Sequence, residues 1–451
     1  MSTRQFDVIV IGAGNAGFAA ARTVQEAGLS VAIIESREFG GTCPNRGCTP
    51  KKVLVAAAQS LESIRDSYTH GIEVGEPRLS WATLIDREQS LISHIPNAME
   101  ESARSFATVY EGEAQFTGPN EVRVDDEHLS GSHIVIATGS IPRPLPIKGA
   151  EYLVTSDDLL SNPSLPDRIV FIGGGVIALE FAHVFVRLGV DVTILEALPT
   201  LLPRMDQDAV RVLHHATELA GIEVLTDVDV ESVTREYDGY TVTYRTTEGE
   251  HKITTDKVVN GTGRIPAVAN LNLDAAGVKH EGVHIELDEF SRSTTNPSVF
   301  VAGDALTTTP QLSPLASEEG SEVGSAIVHG LTNESRSKTI PQAIHTIPSL
   351  ASVGLSEEDA RRRYPELKVQ TSDLTGWFSA RTYGETTAWA KVLVDDDTNQ
   401  IVGAHLVGHR GEELIQLFAL SIAEGIPASR LRDSVYAFPT FSSDIKNLIP
   451  R

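Results

Sequence analysis

The chain has 451 residues, enough for two or three cores of ordinary size, so several domains are expected. Hydrophobic residues make up 41%, charged residues 22%, and there are 36 glycines, which is typical of a soluble globular protein with many tight turns. The formal net charge of −24 repels nucleic acid and anionic membranes, so neither is an expected partner. This acidity fits solubility or adaptation to salt, and steering of a cationic substrate is the alternative.

The N-terminal apolar stretch has some features of a signal peptide, with Arg4 before it and small residues behind. Asp7, the spaced glycines and a second copy of the same pattern downstream argue against that interpretation. No run of 18 apolar residues occurs in the sequence, so no membrane-spanning helix is predicted and the cytoplasm is the expected location. The 2 cysteines, five positions apart, cannot form a secreted disulfide framework and indicate chemistry instead.

A glycine fingerprint follows the first predicted strand. Residues 6–11 form an apolar run, and Gly12, Gly14 and Gly17 come next in the spacing G-x-G-x-x-G. The first glycine makes the turn, the second lets the backbone approach a pyrophosphate, and the third lets the following helix pack closely. Glu35 ends the next predicted strand, where a carboxylate accepts hydrogen bonds from ribose hydroxyls.

The same pattern recurs downstream with Gly173, Gly175 and Ala178, followed by Glu196. Both 173 − 12 and 196 − 35 equal 161, so the glycines and the acidic residue repeat in register. A single copy is equally typical of an ordinary strand-turn-helix loop. Two copies in register predict two dinucleotide sites.

Later strands are predicted to return to each dinucleotide. Residues 137–142, which include Gly139, and residues 261–266 have matching glycine turns that permit close approach. A further strand at 299–302 leads to Asp304, which by itself is typical of a turn and in this setting favours a cofactor contact. From about residue 339, alternating apolar runs and a helical stretch predict a separate α+β domain for packing or dimerisation.

The cysteines lie in the segment GGTCPNRGCTPKK, from Gly40 to Lys52. The apolar run after it predicts a continuing helix, so Cys43 and Cys48 would lie at a helix N-terminus beside Arg46, Lys51 and Lys52, which lowers thiol pKa values. A zinc ligand pair and inert packing cysteines are the alternatives. The motif has no histidine and the chain no other cysteine, which disfavours zinc.

Together, the fingerprints, the cysteine segment and the sequence VAGD at 301–304 resemble the class I flavoprotein disulfide reductases, which include dihydrolipoyl dehydrogenase, glutathione reductase and mercuric reductase. The resemblance covers nearly the whole chain. It implies an α/β fold with two Rossmann-like dinucleotide-binding domains and a C-terminal α+β dimerisation domain. The expected domains are an FAD-binding domain at 1–148 and 270–335, an NAD(P)-binding domain at 149–269 and an interface domain at 336–451.

The resemblance also implies roles for individual residues. Cys48 would be the sulfur nearer the flavin and Cys43 the exchange thiol, while Lys52 and Glu180 would form a buried pair beside the flavin. The family also implies a homodimer. The FAD contacts would be Gly12, Gly14, Glu35, Thr42, Lys52, Ala114, Thr138, Gly139, Asp304 and Ala316. The contacts to NADH, with NADPH as the alternative, would be Gly173, Gly175, Glu180, Glu196, Val230 and Gly263.

The sequence departs from the family near its C-terminus. Most members have a histidine, contributed across the dimer interface as the base for the exchange thiol, and a glutamate five residues later. Here Phe438 and Ser443 occupy those places, and no histidine follows His409. Tyr436 is a possible proton donor, although a packing role fits a tyrosine better. Loss of the base weakens the case for dihydrolipoyl dehydrogenase and glutathione reductase.

The sequence therefore predicts an NAD(P)H oxidoreductase with FAD and a Cys43/Cys48 redox centre, acting on a small-molecule acceptor. Disulfides, metal ions or oxyanions and quinones remain open as acceptors, and no resident metal is expected. The alternatives are dihydrolipoyl dehydrogenase and a non-catalytic redox sensor that keeps the flavin and changes partner affinity with disulfide state.

Overall fold

The computed structural model describes residues 3–330 and 339–451. Contacts between residues divide the chain into two compact units. Unit 1 comprises Met1–Lys51, Ile85–Arg143 and Gly263–Ser335, and unit 2 comprises Lys52–Leu84, Pro144–Thr262 and Arg336–Arg451. The finer division into three domains stays a prediction, and its boundary at 335/336 lies outside the described residues.

Unit 1 is built on a seven-stranded sheet. Its central strand is buried on both faces, with Val8, Ile9 and Val10 fully inaccessible, which explains the continuous apolar run in the sequence. The parallel strands, in spatial order, are Thr108–Glu111, Val31–Glu35, Arg4–Ile11, Glu127–Ile136 and Val299–Val301. The antiparallel strands Glu121–Val124 and Ala114–Gly118 extend the sheet from Glu127–Ile136.

Helices and short hairpins complete unit 1. The helices Cys48–Arg65 and Trp81–Ile92 have residues in both units. The other helices are Asn15–Glu26, Thr42–Arg46, Ile95–Arg104 and Ser313–His329, with 3₁₀ turns at Ala269–Leu271 and Gly303–Ala305. Ser140–Pro142 pairs with Arg264–Pro266, and His280–Glu281 pairs with His284–Ile285.

The described residues of unit 2 form three sheets. The parallel sheet has the order Glu223–Leu225, Asp191–Leu195, Arg168–Ile172 and Lys257–Asn260. An antiparallel meander consists of Asp229–Glu236, Gly239–Thr246 and Gly249–Thr255. The five-stranded antiparallel sheet has the order Gln342–Ile344, Leu350–Gly354, Gln400–Val407, Trp389–Asp395 and Leu367–Asp373.

The remaining helices of unit 2 surround these sheets. They are Ser156–Ser161, Val176–Arg187, Gln207–Leu219, Glu357–Arg363, Phe378–Tyr383, Gly411–Ala423, Ala428–Arg432 and Ile445–Leu448, with 3₁₀ turns at Asp66–His70, Ala150–Tyr152 and Phe441–Asp444. None of the helices in the described residues is both long and apolar enough to cross a membrane.

The C-terminal residues have a hydrophobic core of their own. Val392 and Leu406 of the five-stranded sheet pack with Ile415 and Phe418 of the helix Gly411–Ala423, and all four are fully inaccessible. The parallel sheet of unit 2 packs around a different cluster that includes Val170 and Val258. The predicted α+β texture of the C-terminal part is therefore confirmed.

Candidate active site

The two fingerprints have the same hydrogen bonds in the structure. Ala13 N donates to Glu35 Oε2 at 2.7 Å, and 161 residues later Gly174 N donates to Glu196 Oε2 at 2.5 Å. The helices that follow, Asn15–Glu26 and Val176–Arg187, differ by the same offset, since 176 − 15 and 187 − 26 are both 161. The internal repeat seen in the sequence is thus a repeat of geometry.

The first glycine of each fingerprint is required by the backbone. Gly12 has φ +109°, and a Cβ there would lie 2.2 Å from Ala137 O. Gly173 has φ +99°, and its Cβ would lie 2.5 Å from Gly261 O. Each loop therefore packs against the turn after a later strand, as the sequence predicted.

The residues of unit 1 fit a flavin dinucleotide. Gly14 caps the helix Asn15–Glu26 and, lacking a side chain, offers no acceptor to the first amides of the helix. Thr138 Oγ1 is buried and has no hydrogen-bond partner among the described residues. A phosphate at the helix end and a polar ligand atom at Thr138 would satisfy these groups.

Four of the predicted FAD contacts lie at one edge of the sheet. Gly12, Glu35, Thr138 and Asp304 each end or follow a parallel strand at its carboxyl end, where ligands of α/β sheets bind. Burial raises the pKa of Asp304, although Ser140 Oγ donates to its carboxylate at 2.9 Å.

The other predicted FAD contacts in unit 1 are more dispersed. Ala316 lies in the helix Ser313–His329, and a Cβ on Gly303 would lie 3.4 Å from its Cβ, which places it beside Asp304. Thr42 begins the short helix that contains Cys43, and Ala114 begins a strand. Gly139 has φ +69° and open space around its Cβ position.

The residues predicted for the nicotinamide dinucleotide lie mainly in unit 2. Gly175 caps the helix Val176–Arg187 without a side chain, and Glu180 lies within that helix at 3% exposure. Val230 belongs to the antiparallel meander and pairs with Tyr244. Gly263, with φ +97°, belongs to unit 1. A dinucleotide fits the uncapped helix end beside Glu196.

The cysteine segment forms two helices instead of the single one expected. Thr42–Arg46 contains Cys43 and ends at Gly47, and Cys48 begins the long helix Cys48–Arg65. A Cβ on Gly47 would lie 2.9 Å from Thr42 O, so this close turn requires glycine. The two cysteines are not joined by a disulfide in the structure, and Cys43 is half-buried whereas Cys48 is exposed.

Cys43 is surrounded by groups that favour its thiolate. A hydrogen bond from Cys48 is the largest cause that lowers the Cys43 pKa, from 9.0 to about 6. Burial opposes this shift, while a hydrogen bond from Ser313 and the charge of Lys51 add to it. The predicted lowering of the pKa is confirmed for Cys43, with a contribution from Lys51, and stays a prediction for Cys48. Arg46 forms an ion pair with Glu38.

Ser313 is a further residue of this site, and no motif in the sequence predicted it. Its hydroxyl and its carbonyl oxygen both accept from Asn15 Nδ2, the latter at 3.3 Å, which fixes the start of the helix Ser313–His329. The one local indication in the sequence is the Ser-Pro pair at positions 313 and 314, because such a pair is common at the start of a helix.

Lys52 and Glu180, the predicted pair, both contact His345. Lys52 Nζ lies 2.9 Å from His345 Nδ1, and Glu180 Oε1 accepts from His345 N at 2.8 Å. His345 was missed because it is 293 residues from Lys52 and 165 from Glu180, and no local motif marks it.

The C-terminal segment presents Phe438 to solvent. Its side chain is 78% exposed, whereas Ser443 is buried and donates to Thr440 O at 2.6 Å. Tyr436 donates its hydroxyl hydrogen to Leu431 O at 2.8 Å, and burial raises its pKa, which supports the packing role.

His409, also missed by the sequence analysis, is fully buried next to this segment. Its Nδ1 lies 3.0 Å from Glu385 Oε2 and its Nε2 lies 2.9 Å from Asp444 Oδ2. No group of three or more histidine, cysteine, aspartate or glutamate residues suited to hold a metal ion occurs within 3–330 and 339–451.

Comparison with known proteins gives matches over nearly the whole chain. Residues 6–320 match the model of the family described as pyridine nucleotide-disulphide oxidoreductase, and residues 340–449 match the dimerisation domain of that family. A glutathione reductase of Burkholderia cepacia is 34% identical over 451 residues, covering 99% of each chain. A dihydrolipoyl dehydrogenase of Halobacterium salinarum is 30% identical, covering 97% of this chain and 94% of its own.

Among solved structures, the Cu(II) complex of the HOCl-induced flavoprotein disulfide reductase RclA C43S mutant from Escherichia coli has a TM-score of 0.87 and 26% identity. The match covers 99% of both chains.

Proposed function

Because the chain belongs to the pyridine nucleotide-disulphide oxidoreductase family, we propose that it passes electrons from NADH through FAD to Cys43 and Cys48, and from there to a thiophilic metal ion such as copper. The chain is an FAD-dependent enzyme that uses NAD(P)H, as its family does. The proposal concerns the preferred donor, the residue roles and the acceptor.

The environment of Cys43 is the observation that supports a metal ion as the acceptor. Its pKa of about 6 provides a thiolate at neutral pH, while the exposed Phe438 offers no proton. Reduction of a disulfide substrate expels a thiolate that needs protonation, and such proton transfer typically contributes about 10²- to 10⁴-fold. A metal ion takes electrons without a proton, and thiolates suit soft metals such as copper. The Escherichia coli relative was solved as a Cu(II) complex.

The residues divide the work as follows. When bound, FAD takes two electrons from the reduced dinucleotide and delivers them to sulfur. We assign Cys48 as the sulfur that receives them and Cys43 as the thiolate that meets the acceptor. In the metal step, two Cu(II) ions each gain one electron and become Cu(I). The Cys43 thiolate and the Cys48 thiol lose those two electrons, form the S–S bond and release one proton.

The contacts of the two dinucleotides are assigned to separate sets of residues. FAD is assigned to Gly12, Gly14, Glu35, Thr42, Lys52, Ala114, Thr138, Gly139, Asp304 and Ala316, and NADH to Gly173, Gly175, Glu180, Glu196, Val230 and Gly263. Three features support these assignments: the helix ends without a side-chain cap, the Thr138 hydroxyl without a hydrogen-bond partner in the described part of the chain, and the carboxylates at the strand ends. We further infer a homodimer, and a cytoplasmic location because the redox pair needs to be reduced in each cycle.

An anaerobic experiment tests the acceptor. The enzyme is mixed with NADH and Cu(II) in the presence of a Cu(I)-selective chelator, and two Cu(I) should form per NADH consumed. Cys43→Ser should keep flavin reduction by NADH and lose Cu(I) formation. Equal Cu(I) formation by this variant would mean that electrons bypass Cys43, which would refute the proposal.

A disulfide is the second candidate acceptor, since one relative is named a glutathione reductase. The low pKa of Cys43 favours reduction of a disulfide, because the thiolate that attacks the disulfide forms without a base. Lipoamide and glutathione disulfide in place of Cu(II) test this candidate. Sustained NADH oxidation with any acceptor excludes the non-catalytic redox sensor.

A further inference from the structure

Ser313, which forms a hydrogen bond with Cys43, has a second partner in Asn15. Asn15 is the first residue of the helix Asn15–Glu26, and its Nδ2 donates to the hydroxyl oxygen of Ser313 and, at 3.3 Å, to the carbonyl oxygen of the same residue. Ser313 in turn donates its hydroxyl hydrogen to the sulfur of Cys43. All three residues belong to unit 1. They form a chain of hydrogen bonds that ends on the thiolate of the redox pair.

We propose that Asn15 is a positioning residue for the Cys43 thiolate: its amide N–H orients the hydroxyl of Ser313 so that the hydroxyl hydrogen points at the sulfur. The inference rests on the proposed function, which makes this thiolate the group that meets the acceptor. It gives the first fingerprint, whose glycines we assign to FAD, a second role at the sulfur.

The carbonyl oxygen of Ser313 determines which way the side-chain amide of Asn15 faces. A carbonyl oxygen can only accept a hydrogen bond, so the Asn15 atom that faces it is the amide nitrogen and not the amide oxygen. That nitrogen also faces Ser313 Oγ, and the hydroxyl oxygen therefore accepts there. The one hydrogen of the hydroxyl is left for the Cys43 sulfur, and a donor on the hydroxyl oxygen strengthens the bond that this hydrogen makes.

The backbone around these residues is held by close contacts between their two helices. A Cβ on Gly320 would lie 2.1 Å from Ala16 O. A Cβ on Gly324 would lie 2.7 Å from the Cβ of Thr23. The helices therefore approach each other closely, whatever side chain occupies position 15. Replacement of Asn15 should leave this packing intact, so that an effect on the thiol can be assigned to the lost N–H.

Two further groups act on the Cys43 thiol. The helix that begins at Cys48 supplies a hydrogen bond from Cys48 and the positive charge of Lys51. On the helix of Cys43 itself, Arg46 forms an ion pair with Glu38. Substitutions at positions 15 and 313 leave the identity of all these groups unchanged. A change in the titration of the thiol then reports on the chain of hydrogen bonds.

Two substitutions of Asn15 separate its donor from its size. Asn15→Ala removes the N–H, whereas Asn15→Asp keeps the size of the side chain and replaces the donor by a carboxylate, which would take the hydroxyl hydrogen of Ser313 away from the thiol. Each substitution is also combined with Ser313→Ala, in which the hydroxyl is absent. Asn97→Ala is the control, because Asn97 is an exposed asparagine on the helix Ile95–Arg104 of the same unit.

The measurement is the rate at which iodoacetamide alkylates Cys43 in the anaerobically reduced holoenzyme, as a function of pH. Trypsin cleaves after Arg46, so mass spectrometry detects the two cysteines in separate peptides. The midpoint should rise by about 0.3 to 1 pH unit in Asn15→Ala, with the effect of losing one hydrogen bond to a charged group as the upper limit. It should rise further in Asn15→Asp and stay unchanged in Asn97→Ala.

The double substitutions show whether Asn15 acts through Ser313. In the Ser313→Ala background, Asn15→Ala should cause no further shift, and Asn15→Asp should cause only the smaller shift due to its charge. An unchanged midpoint in Asn15→Ala, or equal shifts with and without the Ser313 hydroxyl, would overturn the inference. If Asn15→Ala is purified without flavin, the two shifts caused by Asn15→Asp decide in the same way. Equal Cu(I) formation by Cys43→Ser would refute the proposed function instead, and the alkylation midpoints would still decide on Asn15.

Discussion

The Cys43 thiol obtains its thiolate character from three neighbours with different physical effects. Cys48 and Ser313 stabilise the negative charge by hydrogen bonds, and Lys51 does so through its charge. Together they outweigh burial, which alone would raise the pKa. Because the pKa is lowered, the reactive thiolate is present at neutral pH and is lost as the pH falls through about 6.

Removal of the Ser313 hydroxyl tests this account. In Ser313→Ala the Cys43 pKa should rise, since one hydrogen bond to the thiolate is lost while burial and Lys51 remain. The measurement is the rate at which iodoacetamide alkylates Cys43 in the reduced enzyme, followed against pH by mass spectrometry. Ser317→Ala is the control one helical turn later, where the hydroxyl donates to Ser313 O at 3.4 Å. An unchanged midpoint in Ser313→Ala would show that its hydroxyl does not act on the thiolate.

The position of Glu196 indicates a preference for NADH over NADPH. Backbone N–H groups of Gly174 and Leu198 hold its carboxylate at 2.5 and 2.8 Å, at the end of the strand Asp191–Leu195. This carboxylate should accept from a ribose 2′-OH and repel a 2′-phosphate.

We therefore expect kcat/KM to be at least about tenfold higher with NADH than with NADPH, the effect of one charge-assisted hydrogen bond. Glu196→Ser should reduce this ratio without changing flavin content. An advantage for NADPH in the wild type would mean that other residues build the pocket.

At the scale of elements, the C-terminal segment is held by its own hydrogen bonds. Thr440 caps the 3₁₀ turn Phe441–Asp444, and Asp444 contacts the buried His409. Phe438 lies outside this framework with its ring exposed. A substitution at Phe438 should therefore change chemistry without a large effect on stability.

Phe438→His should raise the turnover of lipoamide and glutathione disulfide, by up to the roughly 10²- to 10⁴-fold that general acid–base catalysis contributes. Reduction of the flavin by NADH should not change, because that step needs no base at this position. Stopped-flow reduction and steady-state assays with each disulfide measure the two effects. If the wild type already reduces lipoamide at about 10 s⁻¹ or faster, another residue supplies the proton, and Tyr436 is the first candidate.

Introducing the family's glutamate at position 443 should destabilise this protein. Ser443→Glu would replace a buried side chain that donates to Thr440 O at 2.6 Å. The double substitution Phe438→His with Ser443→Glu should thus have a lower melting temperature than Phe438→His alone. The single substitution is the cleaner test of the missing base.

At the scale of the whole molecule, the features that could be predicted from the sequence are those that depend on local sequence patterns. The strands and helices of both fingerprints could be predicted from the apolar runs and from glycines such as Gly12 and Gly173. The backbone conformation of each turn requires glycine at these two positions. The acidic ends Glu35 and Glu196 follow from their constant spacing. These features are local, so a single sequence is sufficient to find them.

Contacts between distant segments could not be predicted in the same way. Ser313 reaches Cys43 from a helix 270 positions away, and His345 reaches Lys52 from a loop 293 positions away. The break at Gly47 depends on its close approach to Thr42 O, which apolar periodicity does not encode. The proposed acceptor depends on such contacts, because Ser313 is one of the groups that lower the pKa of Cys43.

The homodimer is the last prediction, and the charge of the whole chain sets its salt dependence. The C-terminal domain exposes Leu420 at 52%, Val435 fully and Phe438 at 78%, and such apolar side chains are typical of an interface. Each copy has a formal charge of −24, so two copies repel each other and added salt should screen that repulsion. Sedimentation of the holoenzyme should therefore show a homodimer whose dissociation constant falls as NaCl rises. Leu420→Glu should weaken the dimer, whereas Leu219→Glu, at a 70% exposed leucine outside this domain, should not. If the two variants dissociate equally, net charge rather than this apolar surface controls assembly, and the interface lies elsewhere.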